Sequence, residues 1–281
     1  MKLALLGGGG FRTPAIYRAL AEGATRTHYD EIALYDVDSA RLDRIAEVLH
    51  GFDERLGQGI PFTTTTDLDT AIDGADVVHC AVRVGGLAGR LLDETAALAE
   101  GAIGQETAGA GGITFALRTL PVVTEIAEVV ERRAPTATFV NFTNPVGLVT
   151  EAIRPVLGDR VVGICDAPLA LCRRVAAALG RDPDDLWFDY FGINHLGWLR
   201  GVFDRGRDLL PELLADETRL LRFEEGRLFG ANWLRSVGMI PNEYLYYYDF
   251  ASEALAAMQA GRVRAEFLSG QQEAFYRGAQ T

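Results

Sequence analysis

Near its start the chain reads Lys2-Leu-Ala-Leu-Leu-Gly-Gly-Gly-Gly-Phe-Arg-Thr-Pro14. The apolar run up to Leu6 predicts a buried strand, the four glycines predict a tight turn, and a helical pattern follows Pro14. A strand that breaks into a glycine-rich turn before a helix is typical of a nucleotide-binding βαβ unit, because the backbone must approach a pyrophosphate closely. The helix N-terminus then offers free N–H groups to the phosphates.

This loop supplies the predicted cofactor-binding residues, which are Gly7, Gly9, Gly10 and Phe11. The pattern is imperfect, because Arg12 stands in the place of the third glycine of G-x-G-x-x-G. The alternative is a strand, turn and helix without a ligand. A second predicted strand ends at Asp36, where a carboxylate is placed to accept hydrogen bonds from an adenosine ribose. Asp36 is equally well explained as a helix cap, since a helix begins just after it.

Length and composition restrict the class of protein. The chain has 281 residues, a hydrophobic fraction of 48% and a net charge of −12. This charge argues against nucleic acid or an anionic membrane as a partner. No apolar run reaches membrane-spanning length and three cysteines show no disulfide spacing, so we expect a cytoplasmic protein. Lys2, at the start of the first predicted strand, is the only lysine. Catalysis through a lysine Schiff base is therefore effectively excluded.

Strands and helices alternate over the first 180 residues or so and predict an α/β fold with a Rossmann-like, doubly wound parallel sheet. The pattern changes near residue 185. We therefore predict a nucleotide-binding domain over residues 1–184 and a smaller, mainly helical α+β domain over residues 185–281. Paired strands are expected on both sides of Asn194-His195. Beyond Asp208 the chain is expected to be helical, apart from the aromatic stretch from Tyr244 to Tyr248.

Polar residues follow two predicted central strands. Arg83 and Arg90 come after one strand, and Asn141-Phe-Thr-Asn-Pro145 ends the next. The carboxyl edge of such a sheet is where ligands bind, and guanidinium groups suit phosphate or carboxylate. The alternative for either arginine is a solvated position on a helix. Residues 101–112 are so rich in glycine that they predict a functional loop that is neither packed helix nor strand.

Two residues are candidate ligands for a metal ion. Cys165 closes a predicted strand and His195 lies between two others. One thiolate and one imidazole can hold a divalent transition ion if substrate oxygens complete its shell. The alternatives are a packed cysteine and a structural histidine, and packing also explains Cys80 and Cys172.

Several motifs resemble those of the family 4 glycoside hydrolases, nearest to the 6-phospho-β-glucosidases. These motifs are Gly104-Gln-Glu-Thr-Ala-Gly-Ala-Gly-Gly112, Asn141-Phe-Thr-Asn-Pro145, Gly163-Ile-Cys-Asp-Ala-Pro168, Gly192-Ile-Asn-His-Leu-Gly-Trp198 and Pro241-Asn-Glu-Tyr-Leu-Tyr-Tyr-Tyr248. The resemblance implies hydrolysis of a phosphorylated disaccharide or glucoside with NAD and a divalent metal, commonly Mn. NAD oxidises the sugar at C3, a base removes the C2 proton, the leaving group is eliminated, water adds, and the hydride returns. Family 4 is an exception to the two-carboxylate scheme.

The resemblance also implies roles for individual residues. Cys165 and His195 would ligate the metal, and Tyr244 would be the catalytic base. Asn144 and Asn194 would contact sugar hydroxyls, and Arg90 the 6-phosphate. Asp166 would protonate the leaving group or orient hydroxyls. A tyrosine has an ordinary pKa of about 10, so a base role at neutral pH requires a nearby cation such as the metal.

The chain departs from the family pattern in three places. Gly10-Phe11-Arg12 stands where members usually have a small hydroxyl residue after the third glycine. Tyr246 stands where members often have an arginine, and the chain ends at Thr281 although members are considerably longer. We therefore expect a C-terminally truncated chain, and a homo-oligomer, dimer or tetramer, for a full-length protein. The alternative functions are an NAD-dependent 2-hydroxy-acid dehydrogenase and an inactive, truncated NAD-binding remnant.

Overall fold

The computed structural model describes residues 1–23, 27–57, 59–261 and 263–278. Within these ranges, six strands form one parallel sheet in the order β3-β2-β1-β4-β5-β6. The strands are β1 Lys2–Leu6, β2 Glu31–Tyr35, β3 Phe62–Thr65, β4 Val77–Cys80, β5 Thr138–Asn141 and β6 Val161–Gly163. This order is that of a dinucleotide-binding sheet, and it confirms the predicted Rossmann-like fold.

Helices connect these strands and cover both faces of the sheet. They are α1 Thr13–Ala21, α2 Ser39–Leu56, α3 Leu68–Ile72, α4 Gly86–Ala99, α5 Gly109–Arg133 and α6 Val146–Leu157. Side chains of β1 alternate between two apolar clusters, with Leu3 and Leu5 in one and Ala4 and Leu6 in the other. Burial on both faces explains why β1 reads as a continuous apolar run.

The rest of the chain contains a second sheet and shorter helices. Its elements are α7 Ala167–Leu179, β7 Trp187–Ile193, β8 Leu196–Asp204, β9 Arg207–Asp208, α8 Leu210–Ala215, α9 Glu217–Leu220, α10 Glu224–Phe229, α11 Ala231–Val237, β10 Ile240–Pro241, α12 Tyr246–Asp249, α13 Ala251–Ala260 and α14 Arg264–Gly278. Strands β7 and β8 pair antiparallel around Asn194-His195, as predicted. No helix of the described residues is long and apolar enough to cross a membrane.

The chain forms two compact units that divide at other positions than residue 185. The first unit contains residues 1–164 and 261–281, and the second contains residues 165–260. Helix α7 belongs to the second unit because Leu171 and Val175 pack in one apolar cluster with Leu199 and Val202 of β8. Helix α14 belongs to the first unit, where it packs against α4. Residues 279–281 of the predicted second domain lie outside the described residues.

Two local expectations are corrected. The aromatic stretch is helical as well, since a 3₁₀ turn covers Glu243–Leu245 and α12 begins at Tyr246. The glycine-rich segment is a loop only as far as Ala108, because Gly109 already begins α5. Gln105 stabilises this start: its side-chain oxygen accepts hydrogen bonds from the backbone N–H groups of Thr107 and Ala108. These hydrogen bonds order the turn that leads into α5, because both donors precede its first residue, Gly109.

Gly7 has both a conformational and a steric reason to be glycine. Its φ is 88°, in the left-handed region, and a Cβ at this position would lie 2.6 Å from the Ala81 carbonyl oxygen. Gly7→Ala is expected to lower the free energy of unfolding by about 3 kcal/mol, measured by urea denaturation. Gly74→Ala is the matched control: Gly74 has a φ of 66° and open space around its Cβ position, so it is expected to cost about 1 kcal/mol. Equal losses in the two variants would contradict the steric argument.

Candidate active site

The glycine loop after β1 is held by hydrogen bonds to the end of β2. The N–H groups of Gly7 and Gly8 donate to the Tyr35 carbonyl oxygen at 2.9 and 2.7 Å. The Gly9 N–H donates to Asp36 Oδ2 at 3.0 Å. The N-cap of α2 is Asp38, whose side chain accepts from the Arg41 N–H. Asp36 therefore shapes the loop, and the capping role suggested for it belongs to Asp38.

Two further residues complete the surroundings of this loop. Phe11 is half-buried, and Arg12 is the N-cap residue of α1. The Arg12 guanidinium lies over the Phe142 ring, 5.8 Å from its centroid. The position of the missing third glycine thus carries a cation at the start of α1, and Phe142 lies in the polar motif after β5.

The buried carboxylate of Glu106 contacts polar residues that follow β4 and β5. Glu106 Oε2 lies 2.8 Å from Arg83 Nη1 and also pairs with Arg90 Nη1. Its other oxygen accepts a hydrogen bond from Asn144 Nδ2 at 3.0 Å. Burial by itself would raise the pKa of Glu106, but Arg83 and Arg90 outweigh burial and hold this pKa below its usual range. The sheet edge thus presents an ionised glutamate between two guanidinium groups.

The sequence pointed to the two arginines and Asn144 but assigned no role to Glu106. The signal that could have identified it is the need for a counter-charge, because an arginine is almost never buried without one. Arg90, predicted to contact the 6-phosphate, is 8% exposed and also donates to Glu94 Oε1 at 2.6 Å. The side chain of Arg83 is more accessible, at 31%.

In the second unit, a thiol, an imidazole and a phenol lie in contact. Cys165 Sγ is 3.4 Å from His195 Nε2, and the His195 ring stacks on the Tyr244 ring with centroids 3.5 Å apart. Cys165 precedes α7, and His195 lies in the turn between β7 and β8. The φ of His195 is 63°, a left-handed conformation that is uncommon for a residue with a side chain and clusters at functional sites.

Neighbouring residues fix the positions of these three groups. The Asn242 side chain caps the turn of Tyr244 by accepting from its N–H at 3.1 Å. The Asn194 side chain hydrogen-bonds the Cys165 thiol, and burial raises the pKa of that thiol. Asp166 is exposed at the N-cap of α7, and Asn194 is exposed in the hairpin turn. Four of the predicted residues, Cys165, Asn194, His195 and Tyr244, are thus brought together.

The donor set fits a single metal ion with two protein ligands. Metal–sulfur bonds of about 2.3 Å and metal–nitrogen bonds of about 2.1 Å allow one ion to touch two ligand atoms 3.4 Å apart. A thiolate with an imidazole suits divalent transition ions, and bound metal favours the thiolate form. Across the described part of the chain, no group of three or more His, Cys, Asp or Glu side chains is placed to hold a metal. The remaining positions would therefore be open to other ligands.

A half-buried acid beside Tyr244 was missed from the sequence. Arg174 of α7 pairs with Glu225 of α10 and lies 3.4 Å from Glu243, the residue before Tyr244. Burial raises the pKa of Glu243 to about 7, with Glu225 adding to this and Arg174 opposing it. Two carboxylates share one guanidinium here, so the second carboxylate keeps its proton to a higher pH.

Glu243 is expected to make stability depend on pH. Between about pH 4.5 and about pH 7 the folded chain keeps the Glu243 proton that the unfolded chain has released, so the free energy of unfolding falls as pH rises through this window. Glu243→Gln removes the titration, so its gain in stability over wild type is expected to grow from pH 5 and to reach on the order of 3 kcal/mol by pH 8. Urea denaturation with a chelator present measures this difference. Glu224→Gln, which removes a more exposed carboxylate near Arg174, should show little of the gain; a pH-independent difference for Glu243→Gln would contradict the assignment.

Comparison with known protein families gives matches to two family models, which together cover most of the chain. Residues 2–181 match the model of the family 4 glycosyl hydrolases, and residues 190–281 match the model of their C-terminal domain. The chain belongs to glycoside hydrolase family 4.

Relatives in family 4 include enzymes named for either linkage. The 6-phospho-beta-glucosidase of Escherichia coli (strain K12) is 34% identical over 267 residues, covering 91% of this chain and 59% of that protein. The 6-phospho-alpha-glucosidase 1 of Lacticaseibacillus paracasei is 33% identical over 260 residues, covering 87% of this chain and 59% of that protein. The chain spans between 59% and 66% of the length of such curated relatives.

A solved family 4 structure has the same fold over the whole chain. The 6-phospho-beta glucosidase from Thermotoga maritima, determined with manganese, NAD⁺ and glucose-6-phosphate, superimposes with a TM-score of 0.88 at 30% identity. The match covers 100% of this chain and 68% of that protein. Both compact units thus have counterparts in a structure that holds the dinucleotide, the metal and a sugar phosphate.

Proposed function

We propose that this chain hydrolyses 6-phosphoglucosides, phosphorylated disaccharides or glucosides, with NAD and a divalent metal, of which Mn²⁺ is the favoured ion. Family membership supports the reaction type. Relatives named as 6-phosphoglucosidases support the substrate class. A solved relative with manganese, NAD⁺ and glucose-6-phosphate supports the cofactors. Relatives for α and β linkages are equally similar, so the anomer is an outcome of the experiment below.

The observation that carries this proposal is the cluster of Cys165, His195 and Tyr244 in the second unit. A thiol 3.4 Å from an imidazole is a ligand pair, and a phenol stacked at 3.5 Å on that imidazole lies beside the charge that a bound metal would bring. A cation lowers the pKa of a neighbouring phenol and so favours its action as a base. A dehydrogenase acting on 2-hydroxy acids has no need of such a thiolate ligand.

Each residue of this cluster has a proposed task. Cys165 and His195 hold the metal, and Tyr244 removes the proton from C2 of the sugar. Asn194 orients the Cys165 thiol and contacts a sugar hydroxyl. The exposed carboxyl of Asp166 protonates the leaving group or orients hydroxyls. Bound NAD supplies a hydride acceptor for C3, and bound metal supplies Lewis acidity that stabilises negative charge developing on the sugar.

The first unit has proposed tasks of its own. Gly7, Gly9, Gly10 and Phe11 receive the dinucleotide, and Asp36 accepts from its ribose. At the end of β5, Asn144 contacts a sugar hydroxyl. The 6-phosphate is proposed to interact with the arginine pair: Arg83 offers the more exposed guanidinium, and Arg90 acts from its buried position against Glu94 and Glu106.

We propose that the protein acts in the cytoplasm. A phosphorylated sugar is charged and does not cross a membrane unaided, so the enzyme that cleaves it has to be in the same compartment. We further propose a homo-oligomer, dimer or tetramer, for the full-length protein. Ile113 and Leu117, one turn apart on α5, are 59% and 69% exposed. Exposed apolar side chains on one helix face favour burial against another chain.

The experiment that tests the function is turnover of paired p-nitrophenyl 6-phospho-α- and 6-phospho-β-glucosides with NAD and Mn²⁺ under reducing conditions. We expect release of p-nitrophenol from one anomer, loss of turnover when NAD or metal is removed, and no net NADH at 340 nm. Turnover that persists without NAD and metal would contradict the proposal. Net NADH formation would indicate a dehydrogenase. NAD binding without binding of metal or glucose 6-phosphate would indicate an inactive NAD-binding chain.

A further inference from the structure

Helix α14 brings a tyrosine to the glycine loop within the first unit. Tyr276 Oη donates to the Gly9 carbonyl oxygen at 2.6 Å. The preceding residue, Phe275, packs against the apolar cluster that contains Leu3 and Leu5 of β1. At the other end of the helix, the Ala265 N–H donates to the buried Glu94 carboxylate at 2.8 Å. Both ends of α14 are thus fixed to the first unit, and one of them is fixed at the loop itself.

The Gly9 peptide groups are held by side chains on both sides. The Gly9 N–H donates to Asp36, and its carbonyl oxygen accepts from Tyr276. A Cβ on Gly9 would lie 2.9 Å from both Asp36 Oδ2 and Arg41 Cβ, so there is no spare volume on that side. Removal of the Tyr276 hydroxyl would leave the carbonyl free to turn. The loop conformation therefore depends on a residue 267 positions along the chain.

The Tyr276 ring also contacts the residue beside Gly9. The Arg41 guanidinium carbon lies 5.6 Å from the ring centroid, and Arg41 Nε is 3.3 Å from Asp38. Burial raises the pKa of the Tyr276 phenol, Arg41 opposes this, and Asp36 and Asp38 add to it. The phenol therefore stays protonated at neutral pH and remains a hydrogen-bond donor.

We propose that Tyr276 is a positioning residue of the dinucleotide-binding loop: its hydroxyl fixes the Gly9 peptide in the conformation that receives the cofactor. Preorganisation of this kind raises affinity because less ordering remains to be done on binding. The inference rests on the proposed function, since NAD is the ligand concerned. It deepens that function by assigning part of the cofactor site to α14, far in sequence from the glycine motif.

Tyr276→Phe in the 281-residue chain tests this, with NAD affinity measured by isothermal titration calorimetry. We expect a dissociation constant about three- to tenfold higher, the effect of one neutral hydrogen bond. The affinity for glucose 6-phosphate at saturating NAD and Mn²⁺ should be unchanged. Tyr29→Phe is the matched control, because Tyr29 packs against the same apolar cluster, and it should leave NAD affinity at the wild-type value.

The outcomes separate the inference from the function on which it rests. If wild type binds NAD and Tyr276→Phe binds it equally well, the positioning role is wrong and the proposed function stands. If the variant only loses thermal stability, or loses affinity for NAD and glucose 6-phosphate to the same extent, Tyr276 is merely structural and the inference is wrong. If the wild-type chain binds no NAD, both the inference and the proposed function are overturned.

Discussion

Replacing Cys165 with serine is expected to abolish metal-dependent turnover, with a fall in kcat of more than about 100-fold. Loss of a hydrogen-bonding partner behind a metal ligand already costs about 10- to 100-fold in metal affinity or activity, and loss of a ligand itself should cost more. The Cys165 thiol and the His195 imidazole form a ligand pair, with Sγ and Nε2 3.4 Å apart. A serine hydroxyl is not a thiolate and leaves the imidazole as the one strong ligand.

The measurement pairs Mn²⁺ binding, followed by electron paramagnetic resonance, with release of p-nitrophenol from whichever 6-phosphoglucoside anomer the wild-type chain cleaves. Cys172→Ala is the matched control: Cys172 is a buried cysteine of the same unit, packed in the apolar cluster with Leu171 and Val175. It is expected to keep Mn²⁺ affinity, although the cavity will lower stability somewhat. Unchanged Mn²⁺ binding and turnover in Cys165→Ser would refute the ligand role.

Replacing Tyr244 with phenylalanine is expected to lower kcat by about 10²- to 10⁴-fold, the usual contribution of a positioned acid or base. The ring and its stacking on His195 at 3.5 Å are kept, so the fold and the position of His195 should be preserved. Only the proton acceptor is removed. Because the hydroxyl acts in proton transfer, KM should change much less than kcat.

Incorporation of deuterium from solvent at C2 of the product distinguishes this role from packing. Wild type should exchange this proton with solvent during turnover, and Tyr244→Phe should not do so at a comparable rate. Tyr248→Phe serves as control, because Tyr248 lies one turn further along the same segment and is 54% exposed. If Tyr244→Phe still exchanges the C2 proton and turns over within a factor of about three of wild type, another group is the base.

Local patterns were sufficient for the parallel sheet and the glycine loop. Strand β1 could be predicted because burial on both faces requires an uninterrupted apolar run. The turn at Gly7 could be predicted because glycine is the residue that readily adopts the positive φ found there. The paired strands around His195 could be predicted because two apolar-rich stretches flank a short turn, which is also a local feature. The fold class and the glycine-rich turn after β1 were therefore determined by sequence alone.

Contacts between distant residues decided the rest. The role of Glu106 depends on Arg83, Arg90 and Asn144, which approach it only because parallel strands end at one edge. The unit boundaries depend on where α7 and α14 bury their apolar sides, and a helix carries no local mark of its partner. The elevated pKa of Glu243 needs burial and a neighbouring carboxylate, neither of which is visible in Pro241-Asn-Glu-Tyr244.

Sequence by itself thus determined the parallel sheet, the glycine-rich turn after β1 and the set of reactive side chains that this chain possesses. Tertiary structure alone decided that the Cys165 thiol lies 3.4 Å from the His195 imidazole and that Tyr276 secures the Gly9 carbonyl. The physical reason is that backbone propensity and hydrophobic periodicity act over a few residues. Ion pairs, ligand pairs and pKa shifts depend on distances and burial that exist only after the chain has folded.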